Sequence, residues 1–313
     1  MIKPPLFGVN LPKVLTLIGD HSDFGEGGGG GFLYADASNV SVAMGSSGAG
    51  IYTISDLTLT YGDADDQGGN YRGVVRRSNV LITGNQTRGI DTFIISGGNS
   101  LTFAHNNNTR TGHYKLYDDG TFIIGAYTAG ISSYLVDGSG NITYKNSSNP
   151  GGTDNGYTVH GNGTYLFLAK GQDGIYSLIV DGNGAFTTKD HQDYGNDYRS
   201  CYYKNGFLFV IVSGNPGRCE VYTITPNNGT MTRVQSIPVG TELRDIWVDD
   251  KYVYITDISG YCFYVYGYNL STGALTYNRT MTSLYAPWGI SGYDSNIFTA
   301  AFDAGVVSHY AWI

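Results

Sequence analysis

Short runs of strand-forming residues alternate with polar, glycine-containing turns along this chain. The segment DGTFIIGAY begins at Asp119, and the similar segments NGTYLFLAK and NGFLFVIVS begin at Asn162 and Asn205, 43 residues apart in each case. Each segment opens on an Asp-Gly or Asn-Gly pair and continues into an apolar run, which is the strongest short-range signal for a β-hairpin. The pattern therefore predicts strands joined by tight turns.

This turn-and-strand phrase recurs seven times, at intervals of 40 to 45 residues. A strand such as YTVH or RDIWV precedes each turn, and a third strand that opens on glycine, such as GIYSLIV, follows the second. Several units then show a turn and a fourth strand. Four strands in a period of this length are typical of one blade of a β-propeller. The second residues of the seven turn pairs are Asn39, Asn79, Gly120, Gly163, Gly206, Lys251 and Asn296.

The two ends of the chain complement each other. The seventh unit stops at Ile313 after three strands, and the N-terminal segment LPKVLTLIG can supply the fourth. Such a pairing closes the ring and removes an open sheet edge. We therefore predict an all-β fold, a single seven-bladed β-propeller over residues 1–313, with four-stranded antiparallel blades. The predicted blades are approximately residues 24–60, 68–104, 112–146, 156–190, 196–237, 243–281, and 286–313 together with 11–19.

The net charge and the N-terminal sequence limit the classes of binding partner that can be expected. The formal net charge is −8 and the isoelectric point about 5.1, which speaks against nucleic acid as a partner. The best apolar run near the N-terminus, VLTLI, is too short for a signal peptide or a membrane span, so neither is expected. The cysteines, Cys201, Cys219 and Cys262, have no metal-binding spacing and are predicted to be buried thiols, with a Cys219–Cys262 bridge as the alternative.

The segments between blades are polar, glycine-rich and acidic. In one of them, DADDQGGN, oxygen ligands alternate as in the first half of a calcium loop, but Val74 stands where a bidentate acid is required. We expect no cofactor, with calcium on Asp63, Asp65 and Asp66 as the alternative. The same residues also fit ordinary turn conformations. Further metal or polar-ligand candidates in these segments are Asp20, His21, Asp23, Asp190, His191 and Asp193.

Other candidates lie where a propeller presents its central channel. The first strand of each blade lines that channel, and a ring of basic groups there would hold an anionic small molecule. The alternative is that these groups satisfy polar positions around a water-filled tunnel. Three aromatic residues lie on or beside loops, where amphipathic rings contact sugars or proteins. The channel candidates are Arg72, Lys115, His160, Arg199, Arg244 and Asp245, and the aromatic ones are Tyr194, Tyr285 and Trp288.

The fifth and sixth units resemble a known family. Their sequences, EVYTITPNNGTMTRVQSIPVG and LRDIWVDDKYVYITDISGYCFYVYGYNLSTGALT, are similar to the seven-bladed propellers of the lactonase and YVTN type. The resemblance implies either sugar-lactone hydrolysis or a binding scaffold. No local motif identifies a catalytic set, and the chain lacks the GxSxG segment of serine hydrolases, so the catalytic residues stay unknown.

Two functional hypotheses follow. The first is a non-enzymatic binding propeller, a structural, decoration or receptor-binding component of a viral (phage) particle or other extracellular assembly. It rests on a composition rich in Gly, Asn, Ser, Thr and Tyr and on the missing leader, and it predicts a protein or glycan surface, or other subunits, as partners. The predicted location is then a virion or extracellular assembly, alternatively the cytoplasm. The second hypothesis is a lactonase-like small-molecule hydrolase with its site at the mouth of the channel.

Overall fold

The structure is a computed structural model that describes residues 15–21, 33–35, 39–43, 49–55, 58–65, 67–97, 100–301 and 306–312. This part of the chain forms strands and turns, and it contains no helix that could cross a membrane. Its strands are β1 (Leu15–His21), β2 (Leu33–Ala35), β3 (Asn39–Ala43), β4 (Ala49–Ser55), β5 (Thr58–Asp65), β6 (Tyr71–Arg77), β7 (Val80–Asn85), β8 (Gly89–Ser96), β9 (Ser100–Asn107), β10 (His113–Asp118), β11 (Ile123–Tyr127), β12 (Gly130–Val136), β13 (Ile142–Ser148), β14 (Thr158–Gly161), β15 (Leu166–Ala169), β16 (Ile175–Val180), β17 (Phe186–Gln192), β18 (Asp197–Lys204), β19 (Phe207–Ser213), β20 (Arg218–Ile224), β21 (Met231–Pro238), β22 (Leu243–Val248), β23 (Tyr252–Asp257), β24 (Cys262–Tyr268), β25 (Leu275–Thr282), β26 (Pro287–Tyr293), β27 (Asn296–Ala301) and β28 (Val306–Trp312).

The described strands form seven four-stranded antiparallel sheets, which confirms the predicted β-propeller. We number the blades in chain order: β2–β5 form blade 1, and each later group of four strands forms the next blade. Blade 7 consists of β26, β27, β28 and β1. Thr16 pairs with Ala311 and Leu17 with Tyr310, so the N-terminal strand completes the last blade as predicted.

The blades are arranged as a closed ring. The first strand of each blade contacts the first strands of its neighbours, and β2 contacts both β26 and β6. Seven clusters of buried apolar side chains are found among the described residues, and each lies between two neighbouring blades. On β19, Phe207 and Phe209 pack toward blade 6, whereas Leu208 and Val210 pack toward blade 4. Alternate side chains of a strand point to opposite faces, so an apolar run serves both interfaces.

All three cysteines are buried and unbridged. Burial raises the pKa of the Cys201 thiol to about 12, and it also raises the pKa of the Cys219 and Cys262 thiols. They pack as small apolar groups, which confirms the main prediction. The alternative, a Cys219–Cys262 bridge, is not formed.

The outer strands extend further than the sequence pattern indicated. Asp20 and His21 lie in β1, Asp63 and Asp65 in β5, and Asp190 and His191 in β17, although the sequence pattern places these residues in segments between blades. In β17 the side chains are exposed or half-buried throughout. An outer strand with polar side chains on both faces lacks the alternation that identifies a strand, so its end resembles a loop in the sequence.

Candidate functional site

Irregular pairing near the start of the inner strands defines the site. In β6, Tyr71 pairs with Asn85 and Gly73 with Gly84, which leaves Arg72 as the extra residue of a β-bulge. Bulges of this kind redirect a side chain and are frequent next to active sites. Tyr157 immediately precedes β14 and occupies the corresponding position in blade 4. The pairing of the inner strands also shifts at Tyr114, Arg199, Arg244 and Trp288.

These six side chains and Gln86 line a cavity of about 220 Å³, which we call the mouth cavity. It lies at the end of the channel where the inner strands begin. The Arg199 guanidinium carbon lies 4.3 Å from the ring centre of Tyr157, and that of Arg244 lies 4.6 Å from the Trp288 ring. Arg72 approaches the same indole, at 5.7 Å. Aromatic faces thus hold the guanidinium groups in place by cation–π contacts.

The charged side chains that line the mouth cavity are all positive. Among the described residues that line it are three arginines and no acid. Two carboxylates stand beside the lining: Asp197 pairs with Arg199, and Glu242 accepts a hydrogen bond from Arg244 Nη2 at 2.6 Å. Planar guanidinium groups bind carboxylates and phosphates through paired hydrogen bonds, so this arrangement suits an anionic ligand.

Asp197 combines burial with an unengaged oxygen. Its Oδ2 accepts a hydrogen bond from Arg199 Nε at 2.7 Å, whereas its buried Oδ1 has no hydrogen-bond partner among the described residues. Burial raises the pKa of Asp197 above its ordinary value, although the positive charges of Arg199 and Arg244 act to lower it. A fixed carboxylate with a raised pKa is suited to proton transfer.

An ion pair crosses the channel beyond the mouth cavity. Lys115 on blade 3 and Asp245 on blade 6 approach to 2.6 Å between Nζ and Oδ1. The Ser200 hydroxyl donates to the same oxygen at 2.8 Å, and the Ile290 amide donates to Oδ2 at 3.2 Å. The sequence-predicted Lys115 and Asp245 therefore satisfy each other, and Lys115 also lines a second cavity.

On the far side of this pair lies a second cavity of about 460 Å³, the lower chamber. His160 lines it, with its ring 4.1 Å from the Tyr202 ring centre and 5.0 Å from that of Tyr117. His160 Nδ1 accepts a hydrogen bond from the Tyr203 amide at 3.3 Å. Burial, helped by the charge of Lys115, lowers the pKa of His160 to about 3, so the ring is neutral near pH 7. His160 is thus separated from the arginines.

The remaining candidates lie elsewhere. Tyr194 is exposed beneath the Arg233 guanidinium, and Tyr285 lies in the loop before β26; neither lines the mouth cavity. The Asp190 carboxylate accepts from the Met231 amide, and His191 stacks on Tyr176. Asp193 accepts a hydrogen bond from the Gly195 amide in a turn.

The metal prediction is left open. The described residues contain no group of three or more His, Cys, Asp or Glu side chains that could hold a metal ion. Asp23 and Asp66 lie outside the described residues, and the structure describes only the backbone of Asp20, His21, Asp63 and Asp65. Calcium at Asp63, Asp65 and Asp66 therefore stays a prediction.

Sequence reasoning missed Tyr114, Tyr157, Gln86 and Asp197. A usable signal existed for two of them, because the residues at this point of the inner strands recur every 42 to 45 positions. Aligning the units on their first strands would have placed the two tyrosines with the arginines and Trp288. Gln86 and Asp197 carry no such signal.

No protein-family model and no curated protein match the chain. Among solved structures, a putative 6-phosphogluconolactonase from Bacteroides fragilis is 12% identical, with a TM-score of 0.74 over 93% of this chain and 100% of that one. A periplasmic gluconolactonase from Pseudomonas aeruginosa is 12% identical, with a TM-score of 0.69 over 81% and 85%. A chain of a mitotic checkpoint complex, a protein assembly, is 12% identical with a TM-score of 0.75 over 99% and 95%.

These comparisons correct the main functional hypothesis. The expectation of a non-enzymatic component of a viral particle is wrong: the similar structures include lactonase-type propellers, which favour the alternative hypothesis, and they bring no evidence for a virion. Identities this low establish the fold rather than the activity. The predicted resemblance is nevertheless confirmed, since the chain has the seven-bladed fold shared by the lactonase-type propellers.

Proposed function

We propose that this protein is a lactonase-like hydrolase that acts on an anionic sugar lactone in the mouth cavity. The observation that carries the proposal is the trio Arg72, Arg199 and Arg244, set among Tyr114, Tyr157 and Trp288 in one concave site. A single developing oxyanion does not need three guanidinium groups. The additional guanidinium groups favour a substrate that carries a phosphate or carboxylate group of its own.

The chemistry needs a water molecule, a base and stabilisation of negative charge. Water attacks the lactone carbonyl carbon and gives up a proton to Asp197 as the new C–O bond forms. Collapse of the tetrahedral intermediate breaks the ring C–O bond, and the proton passes to the leaving alkoxide, which gives a hydroxy acid. Arg199 and Arg244 would stabilise the oxyanion, since fixed positive groups act strongly where water is excluded. Arg72 would hold the substrate's own anionic group.

The similar structures support this class of substrate. One is named a putative 6-phosphogluconolactonase and another a gluconolactonase. A phosphorylated sugar lactone would combine the ring that the tyrosines and Trp288 can contact with the charge that the arginines can bind. Its product would be the corresponding phosphorylated sugar acid.

The test is hydrolysis of 6-phosphogluconolactone and glucono-δ-lactone above their spontaneous rates, followed by proton release at constant pH. We expect faster turnover of the phosphorylated lactone and a loss of about tenfold to 100-fold in kcat/KM for Arg72→Gln. Arg110→Gln is the matched control, because Arg110 lies over Tyr144, outside the mouth cavity. Rates equal to the spontaneous ones with both lactones would overturn the proposal.

A further inference from the structure

A third concave surface lies at the end of the channel opposite the mouth cavity. This lower groove has a volume of about 620 Å³. Two hairpin turns form its walls, Asp249–Lys251 between β22 and β23 and Asp294–Ser295 between β26 and β27, and Tyr293 lies at the end of β26. Its volume falls within the range of small-molecule sites, about 300–1,000 Å³.

Aromatic rings in fixed positions form the base of the lower groove. Tyr252 stacks on Trp312, with ring centres 4.7 Å apart and planes 17° from parallel. The Trp312 indole N–H donates to the Tyr254 hydroxyl at 2.8 Å, and that hydroxyl donates to Asp249 Oδ2 at 2.8 Å. Rings locked by packing and hydrogen bonds lose little conformational entropy when a ligand binds.

The Trp247 indole has room only because a glycine faces it. A Cβ atom on Gly292 would lie 2.6 Å from Trp247 Cη2 and 2.6 Å from the Asn296 carbonyl oxygen. Trp247, Tyr202 and Gly292 line both the lower groove and the lower chamber, so the two cavities share a wall.

The aromatic surface continues from the lower groove into the channel. Tyr117, His160, Tyr202 and Trp247 occupy equivalent positions on four consecutive inner strands, 42 to 45 residues apart. The three rings from Tyr117 to Tyr202 are in contact, and His160 is neutral near pH 7. The result is an uncharged arc of rings that ends in the lower groove.

The rim of the lower groove carries both positively and negatively charged side chains. Lys204 Nζ lies 2.9 Å from Asp250 Oδ1 at the edge of the groove, and both side chains reach solvent. The lining contains three aspartates and two lysines, in contrast to the purely cationic mouth cavity. This balance gives no net attraction for a polyanion, but it offers hydrogen-bond donors and acceptors beside flat apolar rings.

We propose that the lower groove is a second binding site, for a neutral oligosaccharide. The C–H faces of sugar rings are apolar and flat and would pack on Tyr202, Trp247 and Tyr293. The hydroxyl groups around their edges would bond to Asp250, Asp294 and Lys204. An extended chain would lie along the groove, with one end directed toward the ring arc of the lower chamber. This site shares no lining residue with the mouth cavity, where the proposed active site lies.

The test is titration of the purified protein with cellohexaose, chitohexaose and maltohexaose, followed by tryptophan fluorescence and calorimetry. At least one hexasaccharide should bind. Tyr293→Ser should raise its Kd about tenfold, because Tyr293 is 45% exposed and can lose its ring without loss of the core. Trp247→Ala should reduce the fluorescence change, and Trp312, which also lines the groove, would account for what remains. Tyr277→Ser is the matched control, an exposed tyrosine on the outer strand β25 that does not line the groove.

Two further arms make the outcome decisive. Arg72→Gln should leave the hexasaccharide Kd unchanged, since it alters the mouth cavity alone. A decaproline peptide represents the competing class of ligand, an extended peptide that docks on aromatic grooves. Failure of all three hexasaccharides, binding of decaproline alone, or equal loss of binding in Tyr277→Ser would each overturn the proposal. If Trp247→Ala does not fold, the Kd values of Tyr293→Ser and Asp250→Asn, both altered at the rim of the groove, still test the proposal.

Discussion

Lys115 and Asp245 form an ion pair across the central channel, with 2.6 Å between Nζ and Oδ1. The two residues are 130 positions apart in the chain, on blades that are not neighbours. Asp245 is almost fully buried and also accepts hydrogen bonds from Ser200 and Ile290. The pair therefore ties opposite sides of the ring together and depends on a complete ring.

Removing one member of the Lys115–Asp245 pair should lower the stability of the folded protein. Lys115→Met leaves the buried Asp245 carboxylate without its cation, so we expect the free energy of unfolding to fall by about 3–5 kcal/mol. The double variant Lys115→Met/Asp245→Asn should recover much of that loss, because the uncompensated charge is gone. Urea denaturation measures both. Lys204→Met, which breaks an exposed pair with Asp250, should change stability by less than about 1 kcal/mol, and an equally small effect of Lys115→Met would contradict the assignment.

The proposed role of Asp197 predicts the pH dependence of activity. The carboxylate works as a base only when ionised, so kcat/KM should fall as the pH drops through its raised pKa. Asp197→Asn should lower kcat about 10²- to 10⁴-fold and remove this acid limb. Arg199→Gln should retain the limb but move it to higher pH, since the guanidinium acts to lower the pKa of Asp197. Initial rates from pH 4 to 8, corrected for spontaneous hydrolysis, test this; an unmoved limb in Arg199→Gln would exclude Asp197 as the base.

The fold was predictable because one physical requirement repeats in every unit. A middle strand such as β19 packs against two neighbouring blades, so it must be apolar on both faces, and tight turns must flank it. Because every blade must meet this requirement, the same pattern of turn residues and apolar residues recurs seven times in the sequence. Outer strands such as β17 face solvent and have no such constraint, which is why the sequence pattern places Asp190 and His191 in a loop.

The site was only partly predictable. Arg72, Arg199, Arg244 and Trp288 were selected as channel or loop residues, but their convergence depends on β-bulges, which leave no distinctive residue type in the sequence. The pairing of Lys115 with Asp245 follows from ring closure rather than from spacing. A channel lysine therefore looked available for a ligand although its charge is already matched across the ring.

His113 should make the protein less stable in mild acid. Its buried ring packs against Gly125, and its Nε2 lies 3.1 Å from the Ser132 hydroxyl and 3.2 Å from that of Tyr134. Burial lowers the pKa of His113 to about 3, whereas unfolded histidine titrates near 6.5. Between these values the unfolded state binds the extra proton, so this histidine costs about 1.4 kcal/mol of stability per pH unit below about 6.5.

The variant His113→Phe separates this effect from other acid sensitivity. At pH 7 we expect the free energy of unfolding to fall by about 1–3 kcal/mol, because the buried hydroxyl groups of Ser132 and Tyr134 each lose a hydrogen bond to His113. By pH 5 the difference in the free energy of unfolding between the variant and the parent protein should have narrowed by about 2 kcal/mol. The parent protein loses stability as unfolded His113 takes up a proton, whereas phenylalanine cannot take one up. Urea denaturation at pH 7, 6 and 5 measures the gap. A gap that stays constant would show that His113 titrates normally in the folded protein.

The register of the closing strand can be tested by cross-linking. Thr16 pairs with Ala311, whereas Ser308 pairs with Asp20, four residues further along β1. Paired residues on antiparallel strands lie about 4.5–5.5 Å apart at Cα, within reach of a disulfide. Thr16→Cys/Ala311→Cys should therefore oxidise readily to a closed chain, seen as faster migration on a non-reducing gel. The native thiols are buried and should not compete.

The closed chain should also be more stable, by about 4–5 kcal/mol, because the bridge spans almost the whole sequence and restricts the unfolded state. Thr16→Cys/Ser308→Cys is the register control. Those two positions are offset along the strands, so the cysteines should stay reduced under the same oxidising conditions and react with an alkylating reagent once the protein is unfolded. Equal cross-linking of both pairs would mean that β1 slides along β28, and the ring would then close without a fixed register.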